Sequence, residues 1–293
     1  MTPFALLLLP LLAQAAQAGS GAAVRSLNVA ITDEKGAAVE GLLATDLAVL
    51  EDGVAREVTR VERDRRPLTL VLLLDSSAAV GTAWRLNVIE AVEEFVRRLP
   101  EGSQLSIWTT GDRPTRRLDF GEKVDSLRKL LGRVVPDGGN TLLDAIVEAG
   151  GELKKQEGGR SAMVIVTSTG VEFSSRDRHL VIEQARGLAQ QFAAVLFESD
   201  TGAGPDSSGG LEARLSYEQV LGTLTRETGG VYETPLSSLA VGRSLGRISA
   251  DLAGQYRLSY ATLAEAKPKK IEVKVARPGV RVRATAPEKE REP

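Results

Sequence analysis

The sequence predicts an α/β fold: a doubly wound, mostly parallel sheet flanked by a small antiparallel β-domain formed from both chain ends. Three observations carry this reading. Leu68 to Leu74 reads LTLVLLL, an apolar run of strand length that breaks into the polar turn Asp75-Ser76-Ser77, as a strand buried on both faces does. Beyond it, short apolar runs alternate with stretches whose apolar residues recur at helical spacing. At both chain ends the pattern changes to strict apolar–polar alternation, the mark of strands with one face buried.

Taken in order, residues 22–66 form an N-terminal β segment. Leu27, Val29 and Ile31 alternate with polar or small residues, and Thr32–Gly36 (TDEKG) supplies a turn. DLAVLEDGVAREVTRV (Asp46–Val61) reads as a hairpin around its Glu-Asp-Gly loop. The charged RDRRP (Arg63–Pro67) marks a boundary before an α/β domain over 67–254. There the strand 68–74 precedes a helix over 82–98, with Trp84, Val88, Val92, Phe95, Val96 and Leu99 on one face. Next come a strand in QLSIWTT, an edge strand in TRRLDF and a short helix over 122–131. Asn140 or Thr141 is placed to cap the helix that follows PDGG. A strand over 162–167, a helix over 177–190 and a strand in FAAVLFE lead to the small-residue loop 199–210. A helix from about 215, a last strand in GGVYET and a helix over 236–253 complete the unit. Residues 255–286 supply the C-terminal strands: Tyr256, Leu258 and Tyr260, then Ile271, Val273 and Val275, then Val280 and Val282 each share a face. These strands are expected to pack with the N-terminal segment, and the tail 287–293 (PEKEREP) to be disordered.

Composition narrows the function. With 37 basic and 39 acidic residues among 293, charge gives no reason to expect nucleic acid or an anionic membrane as partner. A single histidine and no cysteine exclude zinc sites of the Cys/His type, thiol chemistry and disulfides. A Ser-His-Asp triad would need His179, which reads instead as an exposed residue at a helix start. No G-x-S-x-G, no GxxxxGK and no G-x-G-x-x-G after the first strand is present, so an enzyme is the least favoured class. Residues 1–18 read as a signal peptide, an apolar segment too short to span a bilayer that ends in Ala16-Gln17-Ala18. The expectation is a periplasmic or secreted protein with no membrane insertion after cleavage.

In an open doubly wound sheet, ligands bind beyond the carboxyl ends of the strands. Asp75 and Ser77 follow the first central strand, Thr141 opens a later helix beside Gly138-Gly139, and Ser168 and Thr169 follow the strand 162–167. Brought to one end, they offer hydroxyls, one carboxylate and a helix N-terminus, a donor set suited to Mg²⁺ or Ca²⁺. The competing reading is that Asp75 and Ser77 cap the next helix and Thr141 its own.

The arrangement resembles a von Willebrand factor type A (VWA) domain, whose metal-ion-dependent adhesion site uses D-x-S-x-S, a distant Thr and a distant Asp. DSSAA supplies Asp75 and Ser77, GGNTLLDAI supplies Thr141, and VIVTSTG falls where the family carries Asp-Gly after a strand. ITDEKGAAVEGLLATDLAVLEDG ahead of these, with TGGVYETP and GQYRLSY behind, is similar to bacterial VWFA-related proteins known especially from acidobacteria. The resemblance implies an interaction module with an unidentified protein partner. Two positions depart from the pattern: Ala79 stands for the second Ser and Ser168 for the distal Asp. Asp75, Ser77 and Thr141 are then the remaining metal ligands of a degenerate site in which Mg²⁺ is weak or absent, because a hard cation needs oxygens and negative charge. Asp144, one turn into its helix, either compensates or is an ordinary first-turn acid. The alternatives are an adhesion module that retains Mg²⁺, and a structural scaffold.

Overall fold

The computed structural model describes residues 22–34, 36–123, 125–156, 159–199, 208–263 and 268–287. The expected signal segment, most of the loop 199–210 and all of the tail but Pro287 lie outside these residues.

The N-terminal segment forms β1 (Ala22–Asp33), β2 (Leu47–Glu51), β3 (Val54–Arg56) and β4 (Val58–Arg63). The α/β region follows as β5 (Thr69–Leu74), α1 (Ile89–Arg97), β6 (Gln104–Thr109), β7 (Thr115–Leu118), α2 (Leu127–Gly132) and α3 (Leu142–Lys155). It continues through β8 (Ser161–Ser168), α4 (Arg178–Ala185), β9 (Gln191–Phe197), α5 (Ser208–Glu227), β10 (Tyr232–Glu233) and α6 (Val241–Ala253). The chain ends in β11 (Tyr256–Leu263), β12 (Ile271–Val275) and β13 (Val280–Ala284).

The central sheet has six strands in the order β10-β9-β8-β5-β6-β7, and β7 alone runs antiparallel to its neighbour. β5 sits inside it, and the lack of alternation in LTLVLLL follows from cover on both faces. Leu70, Leu72 and Leu74 pack with α1 and α6 residues such as Val92, Phe95, Leu245 and Ile248. Val71 and Leu73 pack on the other side with Ile146 and Ala149 of α3. Each such leucine removed from water contributes roughly 1.5–3 kcal/mol, so this strand anchors the site at its end.

The chain ends meet as expected. β1 pairs with both β11 and β13, giving the four-stranded sheet β13-β1-β11-β4, and β12-β2-β3 makes a second sheet. Leu27, Val29, Ile31, Val49, Tyr256, Leu258 and Tyr260 fill the space between the two, so the alternation at both termini is one core seen from two stretches of sequence.

Several details differ from the sequence reading. The RDRRP stretch, between β4 and β5, is held by buried charge: Asp64 accepts a hydrogen bond from Arg66 Nη2 at 2.7 Å and lies 3.6 Å from Arg160 Nε. Ahead of α1, Trp84–Val88 forms a π-helical turn. α2 starts at Leu127 because Ser126 Oγ accepts from Lys129 N at 3.2 Å. α4 stops at Ala185, just before Gly187 turns the chain with φ +77°. α5 begins at Ser208 instead of about 215, running through Gly209-Gly210 to the buried Ala213 and Tyr217. Packing of those two residues outweighs the poor helix propensity of glycine.

Candidate functional site

The parallel strands deliver their carboxyl ends to one head, where the predicted residues fall. Asp75 leaves β5 only 3% exposed. Its Oδ1 accepts from Ser77 N at 2.8 Å. Its Oδ2 accepts from Ser168 Oγ at 2.6 Å, from Ser168 N at 3.0 Å and from Thr167 Oγ1 at 3.4 Å. Asp75 and Ser168 are therefore in direct contact, with Ser168 donating where the family pattern carries a second carboxylate. Neither Asp75 nor Ser77 caps a helix: the segment ahead of α1 enters through Ala83, which makes no side-chain cap bond.

Ser77 is 2% exposed and its hydroxyl makes no hydrogen bond. Beside it, a Cβ placed on Gly170 would lie 2.4 Å from Ala79 Cβ, 3.3 Å from Ser168 Oγ and 3.7 Å from Ser77 Oγ. Gly170 thus lets the backbone after β8 close onto the Ala79 methyl, so that apolar carbon stands at the position where the pattern has a second serine.

Thr141 holds the N-cap position of α3, but its side chain makes no cap bond. Its Oγ1 and its backbone N both donate to Thr110 O, each at 2.8 Å, which fastens the start of α3 to the end of β6. Asn140, expected only as a cap, is fully buried and ties three segments together. Its Oδ1 accepts from Thr110 Oγ1 at 2.6 Å, and its Nδ2 donates to Thr167 Oγ1 at 2.8 Å. A continuous polar chain therefore runs from Thr110 through Asn140 and Thr167 to Asp75. Sequence reasoning missed it because the partners lie on three separate segments; the signal available was an Asn before a helix start whose neighbour could take the cap.

Asp144 does not supply the missing charge. Its Oδ1 holds Arg176 Nη1 at 2.8 Å and its Oδ2 accepts from Ser175 N at 2.9 Å. His179 sits in the exposed first turn of α4, where its backbone N donates to the cap Asp177 at 2.8 Å. Nearby, Glu172 Oε1 accepts from Ser174 N at 2.7 Å, and burial pushes the Glu172 carboxyl above its usual range. Among the described residues no group of three or more His, Cys, Asp and Glu side chains is placed to hold a metal.

Ser77, Ala78, Ala79, Gly138, Asn140 and Phe173 border an open cleft of about 290 Å³ over this centre. Phe173 covers Gly139 so closely that a Cβ there would lie 2.1 Å from its ring, and it is still 64% exposed. Other large apolar side chains stand out from the segments at this end: Leu86, Val135, Leu180, Leu236 and Leu239 are all more than half exposed.

Residues 70–171 match the model of the von Willebrand factor type A domain family. A von Willebrand factor type A structure from Catenulispora acidiphila aligns with a TM-score of 0.52 at 11% identity, over 93% of this chain and 74% of that one. Proximal thread matrix protein 1 from the mussel byssus aligns at 0.49 and 13% identity over 69% of this chain, which spans 50% of the mussel chain. The vWF domain of the type V pili tip protein Mfa5 from Porphyromonas gingivalis aligns at 0.49 and 10% identity, over 63% and 94% of the two chains. No curated protein matches the chain. The α/β unit has the fold of a VWA domain, and its residues 70–171 match that family, which is known for protein–protein interaction and adhesion. It carries an additional antiparallel β-sandwich built from the two chain ends.

Proposed function

We propose that this protein is an exported, non-enzymatic interaction module that engages a protein partner through the head of its VWA domain without a resident divalent cation. The observation that carries it is Phe173, 64% exposed on the border of the Ser77–Ala79 cleft, with Leu236 and Leu239 also exposed where the chain leaves the carboxyl end of β10. Exposed apolar patches of this kind are what interfaces bury. Export rests on the apolar N-terminal segment and its Ala-Gln-Ala end. No helix among the described residues is long and apolar enough to cross a membrane.

The donor set does not suit a tightly held Mg²⁺. Asp75 Oδ2 already receives Ser168 N, Ser168 Oγ and Thr167 Oγ1, which leaves only Oδ1, itself accepting Ser77 N, to face the water shell of a cation, with no second carboxylate beside it. Ala79 offers no side-chain oxygen, and Ser168 brings a neutral hydroxyl in place of a second carboxylate. A second reading, an adhesion module that keeps its metal, is favoured by one observation: the buried Ser77 hydroxyl has no hydrogen-bond partner.

Cross-linking and co-purification of the exported chain tests the proposal. Partners should persist in EDTA and disappear with Phe173→Lys/Leu239→Lys. Loss in EDTA, or capture unchanged by the double substitution, contradicts it.

A further inference from the structure

A second concave surface lies between the VWA domain and the β-sandwich, apart from the head residues. It is a groove of about 970 Å³ walled by the outer faces of α6 and β13. Its lining carries Arg98, Arg243, Arg247, Arg281 and Arg283 against Glu34, Glu233 and Asp251. Five cations over three carboxylates leave an excess of two positive charges on a chain whose net charge is -2.

The pairing within the groove is incomplete. Arg247 Nη2 meets Glu233 Oε2 at 2.8 Å and Arg283 meets Asp251. Arg98 turns to Glu94, outside the groove, at 2.7 Å. The guanidinium groups of Arg243 and Arg281 have no ion pair or hydrogen bond among the described residues, and Arg283 Nη1 is a buried donor with no acceptor. The arginines of β13 alternate with Val280 and Val282, which turn into the sandwich core, so the strand pattern itself fixes Arg281 and Arg283 on the groove side.

The floor is bare. Gly242, Gly246 and Ala250 follow one another at four-residue spacing along α6. A Cβ on Gly242 would meet only Ala91 at an ordinary 3.7 Å, and one on Gly246 only the flexible tip of Arg98 at 3.0 Å. Internal packing therefore does not require glycine at either position. Two sheet edges border the groove as well, since β10 ends the six-stranded sheet and β13 ends the four-stranded one.

We propose that this groove binds an extended acidic peptide segment of a partner protein, its carboxylates pairing with Arg243 and Arg281 and its backbone lying along the small-residue face of α6. Unpaired arginines call for carboxylates or phosphates. The interspersed Glu34, Glu233 and Asp251 repel a uniform polyanion but accommodate a chain whose acids alternate with neutral residues.

The test is fluorescence anisotropy of the full chain with a labelled dodecapeptide of alternating glutamate and alanine. Saturable binding is expected, weakening as salt rises and absent for the glutamine–alanine peptide. Arg243→Glu/Arg281→Glu should weaken it at least about tenfold, and Gly242→Leu should weaken it without any change of charge. Both variants should keep the wild-type circular dichroism. Phe173→Lys at the head should leave peptide binding unchanged, so this result stands or falls apart from the head-face reading. Absence of binding, equal binding by the double variant, or displacement by polyphosphate at lower charge concentration than by unlabelled peptide overturns the proposal.

Discussion

Two buried carboxylates, one in each part of the molecule, are stabilised in opposite ways. Glu51 in the sandwich and Asp75 at the head are each 3% exposed. Glu51 receives Arg56 Nε at 2.9 Å, Arg25 Nη1 at 3.4 Å, Tyr260 OH at 3.1 Å and Thr262 Oγ1 at 2.6 Å. Burial pushes its pKa up, but the bonds from Thr262, Arg56 and Tyr260 outweigh that and hold it below the usual carboxylate range. Asp75 is hydrogen-bonded by neutral donors from Ser77, Thr167 and Ser168. The sandwich thus supplies its own cations and locks the acid into the architecture. The head supplies dipoles, three donors on Asp75 Oδ2 and one on Oδ1.

Breaking the two sites should separate them. Glu51→Ala leaves Arg25 and Arg56 facing each other in a part-buried space, and urea denaturation should show a loss of about 3 kcal/mol. The sign with pH follows from the lowered pKa. Glu51's contribution is present above the unfolded carboxylate pKa and is lost as pH falls through the lower folded value, so the wild type should lose its advantage over the variant in acid.

At the head, Ser168→Ala removes one donor from Asp75 and should cost about 1–2 kcal/mol by the same measurement. Ala79→Ser with Ser168→Asp restores the missing hydroxyl and carboxylate, and should give saturable Mg²⁺ binding by calorimetry. The smallest effect belongs to Glu172, whose pKa burial raises. Its contribution is complete below the unfolded value and lost as pH rises through the folded one. Glu172→Gln should therefore be more stable than wild type at neutral pH by about 1 kcal/mol or less, with the difference vanishing in acid. A thermal melt against pH reads this directly.

The fold was legible where burial imposes a period. The run Leu68–Leu74 signalled a strand covered twice, and the alternating Val and Tyr residues of β11–β13 signalled strands covered once. The start of α5 was not legible, because Ser208-Gly209-Gly210 has loop composition and is helical only through the packing of Ala213 and Tyr217. At the site, spacing pointed to Asp75, Ser77 and Thr141. It gave no access to the Thr110–Asn140–Thr167 chain, since those residues share no periodicity and meet only when the ends of β6 and β8 converge on the start of α3. Nor did spacing show how Asp144 is used, because its partner Arg176 comes from a different loop.

The central claim is that the head works without a resident cation, and calorimetric titration of the purified protein with Mg²⁺, Mn²⁺ and Ca²⁺ tests it most directly. The prediction is no saturable heat up to millimolar metal for the wild type. Micromolar affinity that disappears in Asp75→Ala would contradict it.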